Sequence, residues 1–409
     1  MFQHRGMRIA VWWEQTSWGG VDTHLLTLLR NWPDTNDRFV IFHNSGNLGV
    51  ARISALLGEL EWVSLAPFPE PRRLLPQQLA RVVQYFALPV RFLWMTRRAR
   101  RLLVCQGTFD ALLVDNGGYP SAWGGLAALW AGARLGFRAR LLLVHHAAAA
   151  RSALRHGFES LLDLGVQGWA TDLVAVSHAT RASLIERRGF HTQKTPIRVI
   201  HNGVDSLADD DTARVDLRER LAIPADSFVI GMVGRLEQYK GQEDLVLALS
   251  ELPEEKRARV VAVFAGGVDA PEKTRLQAIA QKTGVASQIR FAGYVEGSSI
   301  HLMRQFDLLA MLTRDFEGFG LTIAEAMWAG TPVLTTMVGA VPEFVTAEVA
   351  MMVRPEAPGE IAEALVQVMD HEEETQKRAL RARKHIGRYS GQAMARNFHR
   401  LLLTSGEIK

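Results

Sequence analysis

Residues 307–336 read DLLAMLTRDFEGFGLTIAEAMWAGTPVLTT, and their reading decides the fold. The apolar run at 307–312 has the length of a buried strand. A loop carrying Gly318 and Gly320 follows, a helix begins near Leu321 or Thr322, and a second apolar run comes at 332–335. Strand, glycine loop, helix and strand in this order place two strands in parallel, with the helix as their crossover.

Outward from there the same alternation recurs. Short apolar runs stand at 8–13, 39–43, 111–115, 141–145, 173–177 and 198–200, and again at 228–233, 260–265 and 289–292. Helical stretches separate them, which predicts α/β architecture: parallel sheets covered by helices on both faces. The alternation breaks once, at 206–227, a polar, acid-rich stretch without a strand. At 409 residues the chain exceeds one ordinary core. The expectation is a first doubly wound domain over 1–205, a linker over 206–227 and a second domain over 228–385. In 386–409, Met394, Phe398, Leu401 and Leu402 share one helical face. That last helix is expected to pack back towards the first domain.

Hydrophobic residues at 48% and charged residues at 22% fit a globular chain. Cys105 is the only cysteine, which excludes an internal disulfide and a cysteine-rich zinc site. The apolar stretch before Glu14 is too short for a secretory segment and reads as a first strand. The longest apolar-leaning stretch, 121–150, is interrupted by Arg134, Arg138 and Arg140, so no membrane span is expected. A cytoplasmic location follows as an expectation. Nucleic acid is not an expected partner at a net charge of +4.

That charge is unevenly spread. Between Glu70 and Asp110 there is no acid, while Arg72, Arg73, Arg81, Arg91, Arg97, Arg98, Arg100 and Arg101 are interleaved with apolar residues such as Phe92 and Trp94. Segment 72–101 could therefore lie on an anionic membrane surface; the plainer reading is a packed helix pair with solvated arginines.

The chemistry concentrates at strand ends, where ligands of doubly wound sheets bind. Gly318 and Gly320 let the backbone approach an anion at a helix start, whose free N–H groups point at it. Glu325, one turn into the helix, could accept hydrogen bonds from vicinal hydroxyls such as those of a ribose, and Glu317 could reach a bound sugar. The plainer reading has Glu325 complementing the helix dipole and Glu317 solvated. Past the run at 228–233 come Gly234, Arg235 and Leu236, then Lys240 and Gly241. A planar fork and a mobile ammonium at that place suit a diphosphate, although each alone would read as a basic loop.

In the first half, Gly19 and Gly20 form a second glycine-rich helix start, and His145 and His146 end the run at 141–145. His145 stands where a sugar-contacting or catalytic imidazole would be placed; His146 reads as a satisfied histidine. The loop from Asp115 to Pro120 reads either as a turn or as a wall on the acceptor side. Asp209, Asp210 and Asp211 resemble a carboxylate metal site but read as a solvated acidic run. No metal or other cofactor is expected. G-x-x-x-x-G-K-[ST] does not occur, and position 323 is Ile where a dinucleotide fingerprint needs glycine or alanine. A P-loop ATPase and a nicotinamide dehydrogenase are thereby disfavoured.

Taken together, these residues resemble glycosyltransferase family 4, retaining enzymes of the GT-B fold, in which two Rossmann-like domains face a central cleft. Glu317-x7-Glu325 in EGFGLTIAEAMWAGTPVLTT looks like the family's paired-glutamate signature. GRLEQYKG at 234–241 resembles its diphosphate clamp, and HNGVD at 201–205 and AVSHATRASL at 175–184 resemble the end of its first domain. The resemblance implies that Arg235, Lys240 and the backbone of Gly318, Phe319, Gly320, Leu321 and Thr322 bind a donor diphosphate. Glu325 would hold the ribose, Glu317 and His145 would contact the transferred sugar, and Gly19, Gly20 and Gly234 would border the donor. The chain departs from the pattern at Gly339-Ala340, where Gly-Gly is usual, and in Val-Asp-Thr after Gly20, where an acid often comes sooner.

The implied function is transfer of a sugar from a nucleotide-diphosphate sugar to a glycan or lipid-linked acceptor, in cell-envelope polysaccharide or glycoconjugate synthesis. A non-catalytic sugar-nucleotide binder and a nucleotide-sugar epimerase of related fold fit the same residues.

Overall fold

The computed structural model describes residues 6–16, 18–58, 60–66, 87–205, 215–267 and 269–405. Arg72, Arg73, Arg81 and the acidic run Asp209–Asp211 lie outside these residues. Packing divides the chain into two units, one of Met1–Gly203 with Gly391–Lys409, the other Val204–Ser390.

The first unit is built on β1 (Arg8–Trp13), β2 (Arg38–Asn44), β3 (Glu61–Leu65), β4 (Ala111–Asn116), β5 (Ala139–Val144), β6 (Asp172–Ala175) and β7 (Ile197–Val199). They pair in parallel in the order β3-β2-β1-β4-β5-β6-β7. The second unit has β8 (Phe228–Val233), β9 (Val260–Ala265), β10 (Ile289–Gly293), β11 (Leu308–Met311), β12 (Val333–Thr336) and β13 (Met351–Val353). Their order is β10-β9-β8-β11-β12-β13, again all parallel.

Both sheets begin in the middle, run to one edge, and return to the middle to run to the other. Strand order therefore reverses between β1 and β4 and between β8 and β11. At such switch points the two following helices cover opposite faces, so their loops part and leave a crevice at the carboxyl ends of the strands.

The apolar runs become strands because they are buried on both faces: every residue of β6 and of β9 is buried. Two strands, β3 and β13, were not among the expected ones. Each is an edge strand with a single neighbour, and EWVSL and MMV are too short or too polar to announce themselves.

The stretch expected as a linker is tied to the second unit from Val215 onward. Asp216 caps the short helix Leu217–Arg220, the Leu217 N–H donates to Gln305 Oε1 at 2.7 Å, and Arg220 donates to the Ala292 carbonyl. The last helix, Gly391–Thr404, belongs to the first unit. It buries Met394, Phe398 and Leu402 there, and Arg138 donates to the Leu402 carbonyl at 3.2 Å. No helix among the described residues is long and apolar enough to cross a membrane.

Candidate functional site

In the second unit, three loops converge at the switch point, from the carboxyl ends of β8, β11 and β12. The loop after β8 is drawn close to the end of β11 by Gly241. It sits at φ +77°, and a Cβ there would lie 2.1 Å from the Leu312 carbonyl oxygen. Arg314 N–H donates to the Tyr239 carbonyl at 2.7 Å, and the Arg314 guanidinium forms a fork on Asp244 with contacts of 2.8 and 2.5 Å. With this scaffold in place, Lys240 Nζ reaches Glu317 Oε2 at 2.9 Å.

Glu317 is held through one carboxylate oxygen and through its backbone. The buried Thr313 hydroxyl donates to the same Oε2 at 3.3 Å, and Thr336 Oγ1 fixes Thr313 through its carbonyl at 2.6 Å. The Glu317 carbonyl accepts from the Ala340 N–H at 2.9 Å. Gly339, at φ +56°, packs so closely that a Cβ would stand 2.3 Å from that carbonyl oxygen. One carboxylate oxygen is thus doubly anchored.

Gly320 is the N-cap of helix Leu321–Ala329 in a left-handed conformation, φ 93° and ψ 49°, which glycine adopts without cost. The first N–H groups of that helix, from Leu321 and Thr322, begin just beyond Gly318 and Gly320. Phe319 turns its side chain inward, stacked on Phe344 with ring centres 4.9 Å apart, so only its backbone is available to a ligand. Glu325 is half-buried on the same helix. Arg235, next to Gly234, is mostly exposed and pairs with Glu237 at 2.7 Å. The structure thus joins Lys240 to Glu317, with Arg235 further out on the same loop.

In the first unit the switch point carries different chemistry. Gly19 caps helix Gly20–Arg30, and its N–H is taken by Asp22 Oδ2 at 2.6 Å. That amide is engaged within its own helix start, while Gly20 is exposed. Burial pushes the Asp22 carboxyl up to about 7, assisted by the nearby charge of Asp115. Glu14, after β1, accepts from the Gly125 N–H at 3.0 Å at the start of helix Trp123–Arg134, and its burial raises its pKa too.

His145 follows β5 directly, its N–H bonded to the Gly117 carbonyl at 2.9 Å. Its Nε2 lies 2.7 Å from Asp115 Oδ1, and His24 Nδ1 lies 3.4 Å from Asp115 Oδ2. Burial would raise the Asp115 carboxyl, but the two imidazoles outweigh it and hold the group well below the usual range. Asp115 is therefore the buried support of His145. It is no exposed wall, and Tyr119 in the same loop is buried as well.

Tyr119 leads to a cluster that the sequence did not signal. Its hydroxyl donates to Asp163 Oδ1 at 2.7 Å, and the wholly buried Arg188 bridges Glu159 at 2.7 Å and Asp163 at 2.8 Å. Arg151 adds a bond to Asp163 at 2.9 Å. The segment after His145 hangs on these residues: Ala149 N–H donates to the Tyr119 carbonyl at 2.7 Å, and Ala148 N–H to Ser183 Oγ at 2.8 Å.

Two doubly wound units with polar groups gathered at both switch points define the GT-B class of α/β proteins. Residues 18–206 match the family model described as Glycosyltransferase Family 4, and residues 213–385 match Glycosyl transferases group 1. The chain belongs to glycosyltransferase family 4.

Among curated relatives, D-inositol 3-phosphate glycosyltransferase of Corynebacterium jeikeium is 31% identical over 222 residues, 52% of this chain and 53% of the relative. The enzyme of that name from Xylanimonas cellulosilytica is 37% identical over 180 residues, 41% of this chain and 42% of the relative. The chain spans about half the length of the curated relatives it matches. Among solved structures, Anabaena HepE in complex with UDP-glucose superposes with a TM-score of 0.73 at 20% identity, covering 97% of this chain and 100% of that one. That likeness is one of fold.

Proposed function

We propose that this protein transfers a sugar from a nucleotide-diphosphate sugar to an acceptor hydroxyl, with retention at the anomeric carbon and without a metal ion. The observation that carries the reading is the Lys240–Glu317 pair, fixed by Thr313 and Gly339 beside the N-terminus of helix Leu321–Ala329. A cation, a carboxylate and free helix N–H groups lie together at the β8/β11 switch point, which is where a sugar diphosphate needs them.

In this reading Lys240, Arg235 and the Gly318–Thr322 backbone receive the diphosphate and Glu325 holds the ribose. As the glycosidic bond breaks, charge develops on the leaving phosphate, and preorganised cations and N–H dipoles stabilise it without reorganisation. Glu317 and His145 contact the transferred sugar. The acceptor attacks from the face the diphosphate leaves, and the leaving phosphate takes its proton. Glu317 is the carboxylate that a covalent route would use.

The names of the relatives choose the first reagents: UDP-glucose as donor and a phosphorylated inositol as acceptor. The test is product analysis by mass spectrometry and NMR. A new glycoside with the anomeric configuration of the donor supports the proposal. A free nucleotide sugar of altered configuration would mean an epimerase, and binding without turnover of any donor would mean a sugar-nucleotide binder.

Peripheral membrane contact finds support in helix Leu88–Cys105. Val90 is 72% exposed, Leu93 48% and Trp94 43%, with Arg97, Arg100 and Arg101 exposed further along. Such a face suits an anionic bilayer, and with it a lipid-linked acceptor in cell-envelope polysaccharide synthesis on the cytoplasmic side. Cosedimentation with phosphatidylglycerol vesicles, lost at high salt and absent with neutral lipid, is the expected result.

A further inference from the structure

One buried titratable residue has no part in the transfer chemistry above. His24 lies on the inner face of helix Gly20–Arg30, its side chain fully enclosed. Its ring stands edge-on to His145, centres 4.5 Å apart at 71°, and to Phe398 of the last helix at 5.6 Å and 69°. Asp115 spans the two imidazoles with one oxygen each: Oδ1 to His145 Nε2 at 2.7 Å, and Oδ2 to His24 Nδ1 at 3.4 Å, the long end of hydrogen-bond range. Asp22 is the other acid acting on this carboxylate.

The proton inventory follows from the donors and acceptors. An ionised carboxylate only accepts, so each ring must turn an N–H towards it, and a neutral imidazole has one N–H to give. His24 is kept neutral by burial, so its proton is on Nδ1 and its Nε2 carries a bare lone pair. In keeping with this, His24 Nε2 finds no hydrogen-bond partner in the packing. An apolar ring would fill the space against Phe398 without that orphan nitrogen. What imidazole adds is the bond to Asp115.

We infer that His24 is a positioning residue for His145: its Nδ1–H holds the Asp115 carboxylate in one rotation, so that Oδ1 fixes His145 as the Nε2–H tautomer. His145 Nδ1 is then the ring nitrogen offered to a hydroxyl of the transferred sugar. This last step rests on the proposed role of His145, whereas the tautomer assignment does not. The hydrogen bond that one ring nitrogen makes sets which of the two carries the proton and which faces a ligand.

The test uses the full chain labelled with ¹⁵N-histidine, with the His145 ring signals assigned by their loss in His145→Gln. The wild type should give the Nε2–H pattern at His145. His24→Phe keeps the aromatic packing and should give a mixture of tautomers, with turnover down about tenfold and donor KM little changed. His24→Asn, whose amide N–H sits close to the place of Nδ1–H, should restore both the pattern and the turnover. A His145 that keeps the Nε2–H pattern in His24→Phe would overturn the inference. So would Phe and Asn variants that lose turnover and melting temperature equally, since that is the mark of packing alone. If the tautomer shifts while His145→Gln itself leaves turnover intact, the positioning stands and the sugar-contact role of His145 falls.

Discussion

Lys240 and Glu317 are 77 residues apart in the sequence and 2.9 Å apart in the fold, the one on the loop after β8 and the other on the loop after β11. Their side chains are 22% and 16% exposed, so both charges are largely withdrawn from water and the cost of desolvating them offsets much of their attraction. Its consequence is positional: a cation and a carboxylate are held at one switch point.

Lys240→Met and Arg235→Ala should each lower turnover, by about tenfold or more for Lys240, through lost stabilisation of charge on the leaving phosphate. Arg235 is mostly exposed and paired with Glu237, so its removal should cost less. Steady-state kinetics decide. Unchanged turnover in both variants would remove the diphosphate clamp.

Gly339→Ala should destabilise the protein by about 1–3 kcal/mol and shift Glu317. A Cβ there would lie 2.3 Å from the Glu317 carbonyl oxygen and 2.5 Å from its nitrogen. Gly136→Ala is the control, at φ +74° with nothing within 4 Å of the new atom. Thermal unfolding should show the larger loss at Gly339, together with reduced turnover.

Asp22 gives a pH signature. Its carboxyl is raised by burial to about 7 in the folded chain, so between its ordinary range and that value the folded state binds more protons than the unfolded one. The stability it contributes is complete at low pH and is lost as the pH rises through about 7. Asp22→Asn should therefore reduce the fall in melting temperature between pH 5 and pH 8. An unchanged difference would show that Asp22 does not titrate there.

Arg188→Met should cost about 3–5 kcal/mol in urea unfolding, because Glu159 and Asp163 would stay buried without their cation. Neutralising both acids as well, with Glu159→Gln and Asp163→Asn, should recover part of the loss.

The central strands of both sheets were legible because burial on both faces leaves near-continuous apolar runs, as in VVAVFA of β9. Two of the four edge strands were not: β3 and β13 owe their pairing to one neighbour, and their own residues carry little signal. Gly318, Gly320 and Lys240 could be read because loop glycines and cations act through local geometry. The partners of Glu317 and His145 could not. Thr313 looks like any strand-end threonine, and Asp115 reads as a turn residue until register brings it between His24 and His145. His24 lies 91 residues from Asp115, and no local pattern spans such a distance.

A nucleotide-sugar site built around Lys240 and Glu317 is best checked by ligand-induced stabilisation. Melting temperatures would be measured across a panel of nucleotide sugars, UDP-glucose first, for the wild type and Lys240→Met, each with and without EDTA. Binding at one hundred times Kd stabilises by about 2.7 kcal/mol, ample for a clear shift. Such a site requires that at least one nucleotide sugar raise the wild-type melting temperature, that EDTA leave the shift intact, and that Lys240→Met abolish most of it. A shift of equal size in Lys240→Met, or none with any nucleotide sugar, would contradict it.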